Sequence, residues 1–358
     1  MSACVLTLRA KPNMGPKLNN DWYFEYLDRI SNLEFKSRPT MQGGTALRYQ
    51  AAREAQGNRA ICGQIAQAIV PCLAGSTVLL MTGTGNPVWL AQGETDGPSG
   101  VAVLTRIFSN LGVRTCVLSE NRFLPGIKAA IQAGGSPLLS EEAWQQRDNG
   151  TLMLPFPEGA AAAPQFVEHL LQRIQGISAA FFIEKPGPNA LGIFHNSSGK
   201  PKDSDWVAHA QVLNDALRKN GVLTVGVGDG GNEIGFGRIR DKLLDSHPYG
   251  RDCGCPCHGG LLDSTVVDFQ LPAGVSNWGG YAIASAIAIE LGRFNLMPSW
   301  PEVAQTIIAP TREGAFDGYS GQPTATADGT SLDANQAIYA LMLEALRMAQ
   351  ESRQGPLK

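Results

Sequence analysis

Short, predominantly apolar runs alternate along this chain with longer segments whose apolar positions recur at helical spacing, and few folds accept that alternation. STVLLMTG (76–83) reads as a strand with no polar face. GPSGVAVLTRIFSNLG (97–112) reads as a helix, with Pro98 in its first turn and Gly112 at its end. The same signals give strands at VRTCVLS (113–119), SAAFFIEK (178–185), VLTVGVG (222–228) and STVVDFQLP (264–272). Helices are read at LPGIKAAIQAGG (124–135), PQFVEHLLQRIQG (164–176), SDWVAHAQVLNDALRKNG (204–221), GGYAIASAIAIELGRF (279–294) and DANQAIYALMLEALRMAQ (333–350). A strand that is apolar on both faces must be covered on both. The expectation is therefore an α/β fold, a mostly parallel sheet with helices on both faces as a three-layer sandwich. No repeat or long linker divides it, so residues 46–351 are read as one domain. Residues 1–45 are read as an N-terminal helical extension that contains the helix NDWYFEYLDRISNLE (20–34).

Bulk properties narrow the partners. With 358 residues and 43% hydrophobic content the chain can bury a sizeable core. A net charge of −3 offers no basic face for nucleic acid. No apolar run reaches the roughly 18 residues that span a bilayer, and MSACVLTLRAKPNMG lacks the long apolar region of a secretory signal. Seven cysteines, an odd number with scattered spacing, suit a reducing compartment. The expectation is a cytoplasmic protein that takes a small molecule and has no nucleic-acid or membrane partner. Assembly into a homo-oligomer is left open.

In a parallel sheet, ligands bind beyond the carboxyl ends of the strands, so the residues that follow each strand carry the functional signal. They are Glu94 and Asp96 after the first, Ser119-Glu120-Asn121 after the second, and Glu184, Lys185, His195 and Asn196 after the third. Asp229, Asn232 and Glu233 follow the fourth, inside GDGGNEIGFG, and Ser276 and Asn277 follow the fifth. Gly226-Val-Gly228-Asp-Gly230-Gly231 fits a dinucleotide glycine pattern, yet Asp229 would face a pyrophosphate with the wrong charge. Glu94, Asp96, Asp229 and Glu233, with Asn232, are instead an oxygen-donor set suited to a hard divalent cation such as Mg²⁺ or Mn²⁺. The plainer alternatives are that Asp96 caps the helix beginning near Pro98 and that Glu184 is a solvated loop carboxylate. Cys253-Gly-Cys255-Pro-Cys257-His258 crowds four donors into six residues, too tight for a tetrahedral site by itself. It is read as a glycine- and cysteine-rich loop, packed or redox-passive, rather than a zinc site.

ETDGPSG (94–100), IEKPGPNALGIFHNSSG (183–199), VGDGGNEIGFG (227–237), AGVSNWGGYAIA (273–284) and AFDGYSG (315–321), in this order, resemble the successive motifs of the D-glutamate cyclase C-terminal domain family. The resemblance runs over roughly residues 45 to 350. It implies a Rossmann-like α/β sandwich and a carbon–oxygen lyase that converts D-glutamate to 5-oxo-D-proline and water. The family's vertebrate mitochondrial member carries a further N-terminal domain for which this chain has no room. Relatives often place a histidine after the last Asp-Gly pair, where this chain has Asp333 and Asn335 beyond Asp328-Gly329. Read with that chemistry, Glu94, Asp96, Asp229, Glu233 and Glu184 are the expected catalytic groups. Asp96, Asp229 and Glu233 would be metal ligands, and Glu184 would meet the substrate amine. Asn196, Asn232, Ser276 and Asn277 would bind substrate, with Lys185 or Arg312 on its α-carboxylate. The competing readings are another lyase, cyclase or racemase on a small amino or hydroxy acid, and a non-catalytic small-molecule or nucleotide binder. A pyridoxal-phosphate site at Lys185 has no supporting motif.

Overall fold

The computed structural model describes residues 20–35 and 43–354. Much of the expected N-terminal extension, residues 1–19 and 36–42, lies outside them. The strands are β1 (Thr77–Thr82), β2 (Arg114–Ser119), β3 (Gly150–Pro155), β4 (Ile177–Ile183), β5 (Leu223–Gly228) and β6 (Phe269–Pro272). The helices are α1 (Asp21–Ser31), α2 (Gly44–Ala55), α3 (Ile61–Ile69), α4 (Pro98–Asn110), α5 (Leu124–Ala133), α6 (Glu141–Gln145) and α7 (Ala163–Arg173). They continue with α8 (Ala210–Lys219), α9 (Arg240–Leu243), α10 (Ser276–Leu291), α11 (Trp300–Arg312) and α12 (Leu332–Gln354). All pairings in the six-stranded sheet are parallel, in the order β3-β2-β1-β4-β5-β6. This is the strand order of doubly wound nucleotide-binding folds, and it reverses between β1 and β4. A crevice therefore opens above the carboxyl ends of those two strands.

Alternating residues of each central strand feed two separate cores, as a period of two requires. Val78, Leu80, Val117, Phe181, Ile183, Val225 and Val227 pack on one face, with α3, α4, α5 and α10. Leu79, Met81, Cys116, Leu118, Ala180 and Phe182 pack on the other, against α7 and α8 through Val167, Leu170, Leu213 and Leu217. α10 is buried from Ser276 to Ile289. Its apolar and small residues face neighbours all round, as expected of an interior helix. The three-layer expectation holds, with two differences. Gly150–Pro155 is a further edge strand that the sequence reading passed over, its proline being tolerated only at such an edge. The run 264–272 pairs only over Phe269–Pro272 at the opposite edge. No helix among the described residues is long and apolar enough to cross a membrane.

Candidate active site

Three adjacent strands deliver acidic residues to the crevice. Glu184 is the first residue after β4 and Asp229 the first after β5, while Glu94 and Asp96 lie at the end of the loop from β1 to α4. These four and Glu233 line a cavity of about 410 Å³ together with Asn196, Asn232, Lys202, Trp206, Tyr319 and Asp328. Cross-links set the loops in place. Ile234 N–H donates to Lys185 O at 2.8 Å and Gly187 N–H to Asn232 O at 2.9 Å, which joins the β4 and β5 loops. Thr95 N–H donates to Phe316 O at 3.0 Å, which draws the 316–328 segment over the β1 loop.

The amides of the glycine cluster are taken up by the protein's own carboxylate. Gly231 N–H donates to Glu233 Oε2 at 2.8 Å, and Gly230 N–H lies 3.2 Å from both Glu233 oxygens. Successive backbone amides of this kind form an anion-binding nest, here filled internally. The expected metal set changes with it. Asp96, Glu184 and Asp229 offer oxygens that all lie within 4.8 Å of one another, so Glu184 takes the place assigned to Glu233.

Asp96 does cap a helix, but mainly a distant one. It accepts from Ser276 N–H (2.9 Å) and Asn277 N–H (2.8 Å) at the start of α10, and from Gly97 N–H (2.9 Å). Asn277 reciprocates, its Oδ1 accepting from Gly97 N–H (3.0 Å) and Gly100 N–H (2.8 Å) at the start of α4. Two helix N-termini thus converge behind the acidic cluster, their unpaired backbone N–H groups taken up by Asp96 and Asn277. Asn277 is therefore a helix-binding group rather than a cavity group, and it does not line the cavity. Ser276 also stands behind the lining, donating to Glu184 Oε2 at 2.5 Å. Asn196 lines the cavity while its Oδ1 holds its own loop, accepting from Ser198 and Lys200 N–H at 3.0 Å each.

Gly97 itself admits no side chain. Its φ is +93°, and a Cβ there would lie 2.3 Å from Thr82 Oγ1 and 2.9 Å from Glu184 Cβ. Gly97→Ala is expected to lower the unfolding free energy by about 1–3 kcal/mol. Urea titration of the variant checks this, and an unchanged midpoint would refute the crowding.

The charges are unbalanced. If Asp96, Glu184 and Asp229 were all ionised, each like-charged pair at such a separation would cost about 3–4 kcal/mol at an effective dielectric of about 20. Burial and the neighbouring carboxylates hold Glu184 well above the ordinary glutamate value of 4.5. Burial, then Asp96, does the same to Glu94, with Lys202 pulling against them. Glu184 also sits at φ +50°, a left-handed conformation uncommon for a side-chain-bearing residue. Among the described residues Glu94 Oε1 and Asn232 Oδ1 are buried without a hydrogen-bond partner, as acceptors awaiting a ligand would be.

Two expected carboxylate binders lie elsewhere. Lys185 is wholly buried and bound to Glu120 (Nζ to Oε1 2.6 Å, to Oε2 2.5 Å) and to Gly83 O (2.9 Å), outside the cavity lining. Arg312 ends α11 on the exposed surface, also outside the lining. The cationic side chain that does line the cavity is Lys202, which donates to Thr84 Oγ1 and to Gly85 O (3.1 Å). Arg48 of α2 is buried within electrostatic reach of Asp229 and Glu233. The sequence reading missed both. Lys202 lay just beyond the FHNSSG motif, while Arg48 carries no local signal because its partners are some 180 residues away in the chain.

Residues 45–343 match the family described as D-glutamate cyclase-like, C-terminal. Human mitochondrial D-glutamate cyclase is 28% identical over 205 residues, which cover 55% of this chain and 30% of the human protein. The chain thus spans less than a third of that relative's length. Among solved structures, a short-chain dehydrogenase from Sphingobium yanoikuyae in complex with NADPH aligns with 79% of this chain and 96% of its own. Its 11% identity and TM-score of 0.25 are too low to carry an argument.

Proposed function

This chain belongs to the D-glutamate cyclase-like, C-terminal family, and from that premise we propose that it is a lyase closing D-glutamate to 5-oxo-D-proline with release of water. The observation that carries the reading is the convergence of Glu94, Asp96, Glu184 and Asp229 on one cavity, with Glu94 and Glu184 both pushed toward the protonated form. In the reaction the α-nitrogen bonds to the γ-carboxyl carbon, and a γ-oxygen leaves as water. The two protons that the substrate ammonium sheds end on that oxygen. Crowded carboxyl groups that cannot all ionise suit this transfer. The ionised member of the Glu94–Glu184 pair takes a proton from the ammonium, and the protonated member gives one to the departing oxygen. The acidic cluster attracts the ammonium, and Lys202, with a third N–H beyond its two bonds, pairs with a substrate carboxylate. A divalent cation held by Asp96 and Asp229 would add positive charge beside the γ-carboxyl group.

Incubation of the protein with D-glutamate, followed by chiral chromatography, is expected to yield 5-oxo-D-proline, with L-glutamate left unchanged. Mg²⁺ or Mn²⁺ added to desalted protein is expected to raise turnover. No product from D-glutamate at any metal concentration would refute the assignment.

A further inference from the structure

The cysteine loop has a partner that its spacing does not disclose. His195, 58 residues before Cys253, places Nε2 3.4 Å from Cys255 Sγ and 3.5 Å from Cys257 Sγ. The sulfurs of Cys253, Cys255 and Cys257 lie 3.1–3.3 Å apart, too far for the ~2.05 Å bond of a disulfide. All four donor atoms fall within 4.8 Å of one another. His258, which made the motif look overcrowded, is not among them. It is exposed and faces Asp252, with Nδ1 3.2 Å from both carboxylate oxygens. We propose that Cys253, Cys255, Cys257 and His195 form a structural zinc site that ties the 249–260 loop to the β4 loop.

The geometry and the surroundings both suit the ion. With Zn–S about 2.3 Å and Zn–N about 2.0 Å, a tetrahedron spaces sulfurs about 3.8 Å apart and sulfur from nitrogen about 3.5 Å. The His195 distances to Cys255 and Cys257 already match, and the sulfurs need to part by about half an ångström. His195 Nδ1 lies 3.2 Å from Ile193 O. Its N–H donates there, which leaves the Nε2 lone pair toward the sulfurs, as in known zinc–histidine arrangements. Backbone N–H groups of Cys257 and Gly259 point at Cys255 Sγ (3.5 Å) and Cys257 Sγ (3.4 Å), donors that stabilise thiolates. Gly254, at φ +71°, makes the reversal that turns Cys253 and Cys255 to one side. Three thiolates and one imidazole, all supplied by protein, select a closed Zn²⁺ site over the hard, oxygen-bound cations. The site also reaches the cavity. Asn232 Nδ2 donates to His195 O at 3.2 Å, and Asn196, the next residue, is part of the lining.

The test is elemental analysis of the full chain, purified under reducing conditions from zinc-supplied cells without chelator. One zinc per chain is expected. His195→Ala and Cys255→Ser should each lose it, while His258→Ala and Cys62→Ser retain a full equivalent. Should the first two fail to fold, the wild-type chain reconstituted with Co²⁺ gives an independent answer. Strong thiolate-to-cobalt charge-transfer bands with intense tetrahedral d–d bands support the site, and a pale octahedral spectrum overturns it. Wild-type protein free of zinc, full zinc in His195→Ala, or a disulfide within the loop of freshly isolated protein would each overturn the proposal as well.

Discussion

Glu184→Gln is expected to lower turnover of D-glutamate by about 10²- to 10⁴-fold while making the protein more stable at neutral pH. Both effects follow from one position. Glu184 lies in the cavity, bonded to Ser276 Oγ and close to Asp96 and Asp229. Burial and then Glu233, Asp229, Glu94 and Asp96 raise its pKa well above 4.5. A carboxyl raised by folding binds more protons in the native than in the unfolded state between those two pKa values. Its contribution is thus fully present below about pH 4.5 and declines as pH rises through the native value. Glutamine keeps the shape and a hydrogen bond to Ser276 but never ionises, so that decline is removed. Thermal melts of both proteins at pH 5 and pH 8 should show a gap that widens at the higher pH. A variant with full turnover, or with the wild-type pH slope, would contradict the role assigned here.

The second large effect concerns Lys185. Its ammonium pairs with Glu120 where both side chains are all but inaccessible to water (0% and 2% exposed). Lys185→Met would leave Glu120 buried without its counter-charge, a change that costs about 3–5 kcal/mol. Urea unfolding should register that loss, and Lys185→Met with Glu120→Gln should recover part of it. Glutamine can still accept the bond that Ala208 N–H now gives to Glu120 Oε1 at 2.9 Å. The fraction that remains folded should bind D-glutamate normally. An unchanged unfolding midpoint with a raised KM would instead restore Lys185 to the substrate.

This residue shows where reading a sequence reaches its limit. A lysine directly after a strand-end glutamate has the same appearance whether it points into a crevice or into the protein, and Glu120, 65 residues earlier, decides which. Asp96 and Asn277 teach the same lesson. Asp96 looked like a cavity group or a cap for its own helix, and it lines the cavity while capping α10 across 180 residues of chain. Asn277 looked like a cavity group and binds the start of α4 instead. The cysteine loop offers only its own donors when read along the chain, and His195, which comes within reach of them in space, lies in another segment.

What the sequence determined was whatever depends on near neighbours. Mostly apolar strands with no consistent polar face required a sheet covered on both sides, and helical spacing located most of the helices that cover it. Parallel topology placed Glu94, Asp96, Glu184 and Asp229 at one end of that sheet before any coordinates. The tertiary structure alone decided which carboxylates share a cavity, which amides fill with Glu233, and which cation stands at the lining. The physical reason is range. Backbone periodicity is set within a few residues, whereas ion pairs, ligand clusters and shifted pKa values depend on atoms a few ångströms apart in space and far apart along the chain.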